Sequence, residues 1–243
     1  MVNDATGDFA DLGDLPQDYD ISLEDTGLKL NLGGLGDEPT DEEAKPRPVT
    51  EHDIAELRRV EAELLKRWGE TEIDPTLDRV RLVMDYLGEP QTSFRSIHVA
   101  GTNGKTSTTR MIESLLRAFG HRVGRTTSPH LQLITERIGI DGAPIHPAQF
   151  VAIYDQVAPY MELADQHSGQ RLSYFEALIC LAYAAFADAP VEVAVVEVGM
   201  GGRWDATNVI ERPLLSVIAP VDYDHAEFLG TDLAGIATEK AGV

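Results

Sequence analysis

The chain has a single cysteine, Cys180, so an internal disulfide is excluded. That residue lies in the apolar stretch ALICLAYAAF, where a buried structural thiol is expected rather than a nucleophile. No window approaches eighteen uninterrupted apolar residues, which gives no helical membrane span. The first residues are acidic and lack the apolar core of a secretory signal. A soluble, cytoplasmic protein is therefore expected. Positive charge is scarce: 20 Lys and Arg stand against 41 Asp and Glu, for a net charge of −21. That balance argues against nucleic acid as a partner. An anionic ligand would have to be held by local cations, backbone N–H groups or a metal ion.

The acidity is uneven. Residues 1–45 carry thirteen acids against Lys29 and Lys45, a net −11, which leaves −10 for residues 46–243. This segment is rich in Asp, Gly and Pro and poor in aromatics, and it reads as a disordered acidic leader. The remainder, within a chain of 243 residues that is 43% apolar, is long enough to bury a core as one large domain or two small ones.

From Thr50 the pattern becomes regular. TEHDIAELRRVEAELLKRWGE starts with a threonine and has Asp53 three residues later, the spacing of a capping box, with apolar residues at roughly helical intervals. TLDRVRLVMDYLGEP predicts a second helix, ended by Gly88 and Pro90. Further helices are expected in PAQFVAIYDQVAPYMELADQ and SYFEALICLAYAAFADA. Strands are expected at Ser96–Ala100, within HRVGRTTSPH, in RIGIDGAPI ahead of a glycine turn, in VEVAVVEVGMGG and in PLLSVIAPVDYDH. The β-branched run of VEVAVVEV has no polar alternation at its centre, the mark of a strand buried on both faces. Alternation of strands and helices predicts an α/β fold, a mostly parallel sheet flanked by helices. Ligands in such sheets bind beyond the carboxyl ends of the strands. The polar clusters obey that rule: Gly101–Thr106, Thr127–Ser128, Glu197–Asp205 and Asp222–His225 each follow a predicted strand.

The most chemically suggestive of these is GTNGKTS, between a strand and a helix. Gly101 and Gly104 let backbone N–H groups approach phosphate oxygens, Lys105 can reach the terminal phosphates, and the Thr106 hydroxyl can face Mg2+. Thr102, Asn103 and Ser107 complete a nucleotide cradle. The full phosphate-loop pattern has glycine five residues before Gly104, where this chain has Val99, so the loop is a shortened G-x-x-G-K-T. Taken alone, it is also compatible with a glycine turn opening a helix.

A shortened loop of this form resembles the ATP-dependent ligases of the Mur type. HVAGTNGKTS, TTSPHL, SYFE, EVGMGGRWDATNVI and DHAEFLGTDLAGIATEKAG occur in the order and spacing of the folylpolyglutamate synthase/dihydrofolate synthase family, from about Thr50 to Val243. The resemblance implies a P-loop NTPase-like domain, the Mur ligase central domain. The implied activity is ATP-dependent addition of L-glutamate to dihydropteroate and to folate through an acyl phosphate, by a bifunctional enzyme that acts as a monomer. It also implies the ligand sets. Ser128, Glu197 and His225 match Mg2+ ligands. Lys105 and Lys240 match catalytic lysines, and Lys240 corresponds to a lysine that family members carry as a carbamate, which would turn an ammonium into an anionic oxygen donor. Ser173, Phe175, Asp205, Ala206 and Leu77 match the pterin pocket, with Phe175 stacking on the flat ring and Asp205 accepting from its aminopyrimidine edge.

The residues by themselves support plainer roles. Glu197 could pair with Arg203, Ser128 could cap a turn, Phe175 could pack within a helix, and Lys240 could be an exposed helix lysine. Two positions depart from the family pattern: Thr106 where glycine is common, and Trp204 where a smaller aliphatic residue is common, the latter at the mouth of the pterin site. The chain ends at KAGV, three residues after Lys240, inside a family motif. Family members continue into a second α/β domain with adenine-side contacts and the glutamate site, so residues 46–243 are expected to be a domain incomplete at its C-terminus and inactive alone. Two other classes stay open: another Mur-type amino-acid ligase, and a non-catalytic nucleotide-binding module. A kinase or GTPase fits less well, because the loop is short and no N-K-x-D stretch is present.

Overall fold

The computed structural model describes residues 47–69, 74, 76–223 and 226–243. The acidic leader and His225 lie outside the described residues. Helix α1 (Glu51–Leu64) starts as its sequence demands. The Thr50 hydroxyl accepts from the Asp53 N–H, and Asp53 accepts from the Thr50 N–H at 2.9 Å, a reciprocal cap. Helix α2 (Asp78–Tyr86) follows and ends just before Gly88. No described helix is long and apolar enough to cross a membrane.

The chain then alternates. Strand β1 (Arg95–Ala100), α3 (Lys105–Ala118), β2 (Val123–Thr126), β3 (Ile138–Ile140) and β4 (Ala143–Pro144) precede the long α4 (Pro147–Ser168) and α5 (Tyr174–Asp188). Strands β5 (Val193–Glu197) and β6 (Leu215–Ile218) and helices α6 (Ala226–Leu229) and α7 (Leu233–Lys240) complete it. The sheet order is β4-β3-β2-β5-β1-β6. Strands β2, β5, β1 and β6 run parallel, so their carboxyl ends share one edge. RIGIDGAPI is not one strand and a turn but a hairpin, β3 with β4, antiparallel to β2. Asp141 and Gly142 at its tip both have positive φ, 49° and 86°, which the tight turn requires.

Side-chain alternation along the strands divides the core. Val193 and Val195 of β5 join Ile97, Val99 and Val123 beneath α3, where Ile112 and Leu116 meet them. Ala194 and Val196 point the other way, into the larger core built around α5. Helix α5 is buried nearly all round, which explains its unbroken apolar sequence. It lies between the sheet and the layer of α4 and α2. Cys180 is fully buried within it, and burial pushes its thiol up, so the structural role expected for it fits. The strand expected in PLLSVIAPVDYDH is present. It is the edge strand β6, with Leu215 and Ile218 53% and 44% exposed.

Candidate functional site

Strand β1 lies where the connections change direction. After it the chain passes by way of α3 to β2, and after β5 it crosses to β6 on the other side. A crevice opens at such a switch point. It is filled here by the loop Gly101–Gly104. Gly101 has φ of 142°, and a Cβ there would stand 2.7 Å from the Ala219 Cβ, so only glycine lets the loop pass against the end of β6. The Pro220 carbonyl accepts from the N–H groups of Thr102 (3.0 Å) and Asn103 (3.2 Å). Those two amides therefore tie the loop to the β6 end. The anion-binding groups left are those of the first turn of α3. Its N-cap, Gly104, provides no side-chain cap, so the amides of Lys105, Thr106 and Ser107 have no partner within the helix.

Two ammonium groups converge behind this loop. Lys105 Nζ donates to the Gly101 carbonyl at 3.1 Å, and Lys240 Nζ donates to the same oxygen at 3.0 Å. Lys240 is 1% exposed, so it is not the surface helix lysine that its local sequence allows. Glu197, at the end of β5, is 3% exposed. Its Oε1 accepts from the Thr106 hydroxyl at 2.8 Å and its Oε2 from the Ser128 N–H at 3.3 Å. Burial pushes its carboxyl above the usual carboxylate range, against the pull of Thr106, Ser128, Lys105 and Arg125. Arg203, the alternative partner, is exposed. A buried carboxylate beside two hydroxyl-bearing residues is a donor set of hard oxygens, which suits Mg2+. Among the described residues no group of three or more His, Cys, Asp or Glu gathers as a ready metal cage.

From Lys105, Ser128 and Glu197 a cavity of about 820 Å³ runs past Phe175, Asp205 and Ala206 to Trp68, Asp74 and Glu176. Ser173 lines it and is also the N-cap of α5. Its hydroxyl accepts from the Glu176 N–H at 3.0 Å, and Glu176 accepts from the Ser173 N–H at 2.7 Å. Trp204 stands at the wall, 53% exposed. Asp205 is 8% exposed. Its Oδ1 accepts from the N–H and hydroxyl of Thr207, and its Oδ2 from the Met200 N–H. Burial raises its carboxyl despite these donors. Leu77 does not line this cavity. It packs in the main core at 4% exposure, and Thr76 beside it faces the cavity instead. The reason is geometric: Leu77 is the N-cap of α2, and Val80 and Met84 carry the same apolar face inward.

Sequence reasoning missed the far wall. Arg79, 3% exposed, donates to Glu176 at 2.8 Å and to Asp74 at 2.7 Å, and its guanidinium lies 5.1 Å from the centroid of the Trp68 ring. The available signal was a charged residue among the apolar positions of DRVRLVMDY. Its partners lie too far away in the chain for any local pattern to reveal.

Residues 99–242 match the Mur ligase middle domain family. The chain is 58% identical over 201 residues to a dihydrofolate synthase/folylpolyglutamate synthase of Mycobacterium tuberculosis, covering 80% of this chain and 41% of that protein. It is 41% identical over 172 residues to the Bacillus subtilis protein of the same name, covering 70% and 40%. The structure of Mycobacterium tuberculosis folylpolyglutamate synthase complexed with ADP superposes with a TM-score of 0.74 at 58% identity, over 78% of this chain and 42% of that one. E. coli FolC in complex with DHPP and ADP gives 0.68 at 35% identity, over 75% and 43%. The chain thus spans about two fifths of the length of the relatives it matches. With the shortened loop at the carboxyl end of β1 and a family match over most of the described residues, the chain belongs to the Mur ligase family, whose middle domain it contains.

Proposed function

We propose that this chain is the ATP- and pterin-binding part of an ATP-dependent ligase that adds L-glutamate to dihydropteroate and to folates. The observation that carries this reading is the continuity of one cavity from Lys105, Ser128 and Glu197 to Phe175, Asp205 and Ala206. A nucleotide at one end and the carboxylate of a flat-ringed substrate reaching toward it from the other would share one space. The names of the similar proteins, and the DHPP and ADP of the E. coli complex, support the same substrate pair.

A carboxylate is a poor electrophile because its charge repels an amine. Transfer of the γ-phosphoryl group to a carboxylate oxygen forms an acyl phosphate and releases ADP. Attack by the glutamate nitrogen on the acyl carbon then expels phosphate, and the nitrogen loses a proton. Positioning and charge neutralisation dominate such chemistry. Lys105 and the first-turn amides of α3 would hold the phosphates. Thr106, Glu197 and Ser128, with His225, would hold Mg2+, which when bound neutralises the charge on the phosphate oxygens. Lys240, buried beside the loop, would contribute as an ammonium or as a carbamate. Phe175 would lie flat on the pterin ring, and the Asp205 carboxylate would accept from its amino edge.

Calorimetric titration tests the reading. Mg-ATP should bind the chain, and dihydropteroate should bind with an affinity that Asp205→Ala or Phe175→Ala lowers at least tenfold, while both variants keep ATP affinity. ATP binding with no response to dihydropteroate would instead favour a Mur-type ligase for another acid.

A further inference from the structure

We propose that His98 and Thr207 are positioning residues for Asp205: the His98 imidazole fixes the Thr207 hydroxyl so that it donates to Asp205 Oδ1 and holds the carboxylate in place at the cavity wall. The function of that carboxylate rests on the pterin reading above, but the relay itself does not.

His98 sits on β1, 0% exposed, on the sheet face that carries α5. Its Nε2 lies 2.8 Å from Thr207 Oγ1. Thr207 is itself fully buried, and its hydroxyl makes a short bond to Asp205 Oδ1. A carboxylate only accepts, so the threonine proton must lie between Oγ1 and Oδ1. The hydroxyl then has only lone pairs to offer His98, so Nε2 carries the imidazole proton. The other ring nitrogen, Nδ1, is buried with no hydrogen-bond partner. A proton there would be a buried orphan donor, so the same tautomer follows from the opposite end of the ring. Burial also holds His98 down to about 4, which keeps it neutral and lets Nδ1 remain bare. The direction of every proton in the chain His98–Thr207–Asp205 is therefore determined.

The turn that carries Asp205 is held from a second side. Tyr183 of α5 donates its hydroxyl to the Thr207 carbonyl at 2.8 Å. Oδ1 receives both the N–H and the hydroxyl of Thr207, Oδ2 receives the Met200 N–H, and the Gly199 N–H also donates to the carboxylate, so Thr207 supplies two of the donors that hold it. The relay thus stabilises the ionised acceptor form of Asp205 in a setting whose burial works against it. The titratable groups facing Asp205 are Tyr183 of α5 and His98 of β1. Across the cavity stand Asp74, Lys105 of α3, Glu176 of α5, Glu197 of β5 and Glu239 of α7. Thr207→Val alters none of them.

The test is a carboxyl 13C NMR titration of Asp205 in the protein without added ligand, followed by dihydropteroate affinity across pH. Thr207→Val should move the Asp205 midpoint upward, and Thr207→Ser should restore it. His98→Leu should move it in the same direction, and His98→Gln, which keeps a donor where Nε2 lies, should restore it. The acid limb of dihydropteroate binding should move with the midpoint, and affinity at neutral pH should fall about tenfold in Thr207→Val, the scale of one lost hydrogen bond to a charged group. An unchanged midpoint in Thr207→Val overturns the relay, and that near-isosteric variant decides even if His98→Leu does not fold. An unchanged midpoint in a folded His98→Leu removes His98 from it. Midpoints that move while dihydropteroate affinity does not would establish the relay and overturn the pterin role of Asp205 instead.

Discussion

Arg79→Met should be among the most damaging single changes outside the phosphate loop. The Arg79 and Glu176 side chains are 3% and 8% exposed and meet at 2.8 Å, with a second contact from Nε at 3.2 Å. Methionine preserves the aliphatic stem and its packing beneath Trp68 but leaves the Glu176 carboxylate without its cation. Removing one partner of a buried pair costs about 3–5 kcal/mol, because the remaining charge is desolvated without compensation. Two features place this site near the low end. Glu176 borders the cavity, so water can reach it, and it keeps the Ser173 N–H at 2.7 Å. The other partner, Asp74, is 51% exposed and re-solvates at little cost. A loss of about 3 kcal/mol corresponds to a fall in Tm of roughly 6–12 °C for a chain of this size. Urea unfolding at pH 7 measures it, and the double variant Arg79→Met/Glu176→Gln should recover much of the loss. A loss below about 1 kcal/mol, or additive effects in the double variant, would show that the carboxylate is already solvated and that the pair does not hold the far wall together.

Two further outcomes follow from the same geometry. Gly101→Ala should destabilise by about 2–4 kcal/mol, since its φ of 142° strains any side chain and its Cβ would meet Ala219 at 2.7 Å; Ala219→Gly in the same chain should return only part, because the backbone strain remains, and full recovery in urea melts would contradict the strain argument. His98, held down to about 4 from an ordinary 6.5, contributes stability that is complete above pH 6.5 and is lost as pH falls toward 4, about 3 kcal/mol in all; the raised carboxyls of Glu197 and Asp205 work in the opposite sense, so the comparison is between the parent chain and His98→Gln, whose stability should fall less steeply between pH 6.5 and 4.5, and equal slopes would mean His98 is not buried neutral.

The sequence revealed those parts of the site that are local along the chain. A cap is three residues long, and Thr50 and Asp53 announce it. The β-branched run of β5 has to be buried, and the glycine-rich turn before α3 marks where a strand hands over to a helix. The carboxyl ends of β1, β2, β5 and β6 do share one edge. Other features depend on distant partners. Lys240 reads as a surface residue because the carbonyl that holds its ammonium, that of Gly101, lies 139 positions away in the loop after β1. That β6 is an edge strand was not legible, because residue type cannot distinguish a central strand from an edge. His98 and Thr207 both lie in stretches that stood out at once, HVAGTNGKTS and RWDATNV, yet the bond between them joins positions 109 apart. Leu77, a leucine at a helix start, has two faces to choose from, and it packs into the larger core.

One loop accounts for the unity of the site. The segment after β5 carries Asp205 on the cavity wall and Gly202 against the last turn of α7. A Cβ on Gly202 would stand 2.7 Å from the Glu239 carbonyl and 2.9 Å from that of Lys240, so the last turn of α7 can dock there only on glycine. Arg203 N–H donates to the Glu239 carbonyl, and Asn208 bridges the carbonyls of Arg203 and Gly242 at 3.0 Å each. That docking accompanies the bond from Lys240 Nζ to the Gly101 carbonyl, behind the loop after β1. The position of the buried lysine and the aim of the Asp205 carboxylate are thus consequences of the same eight-residue turn. A change that loosens the turn should therefore disturb both ends together, whereas changes at Lys105 or Phe175 should each disturb only one.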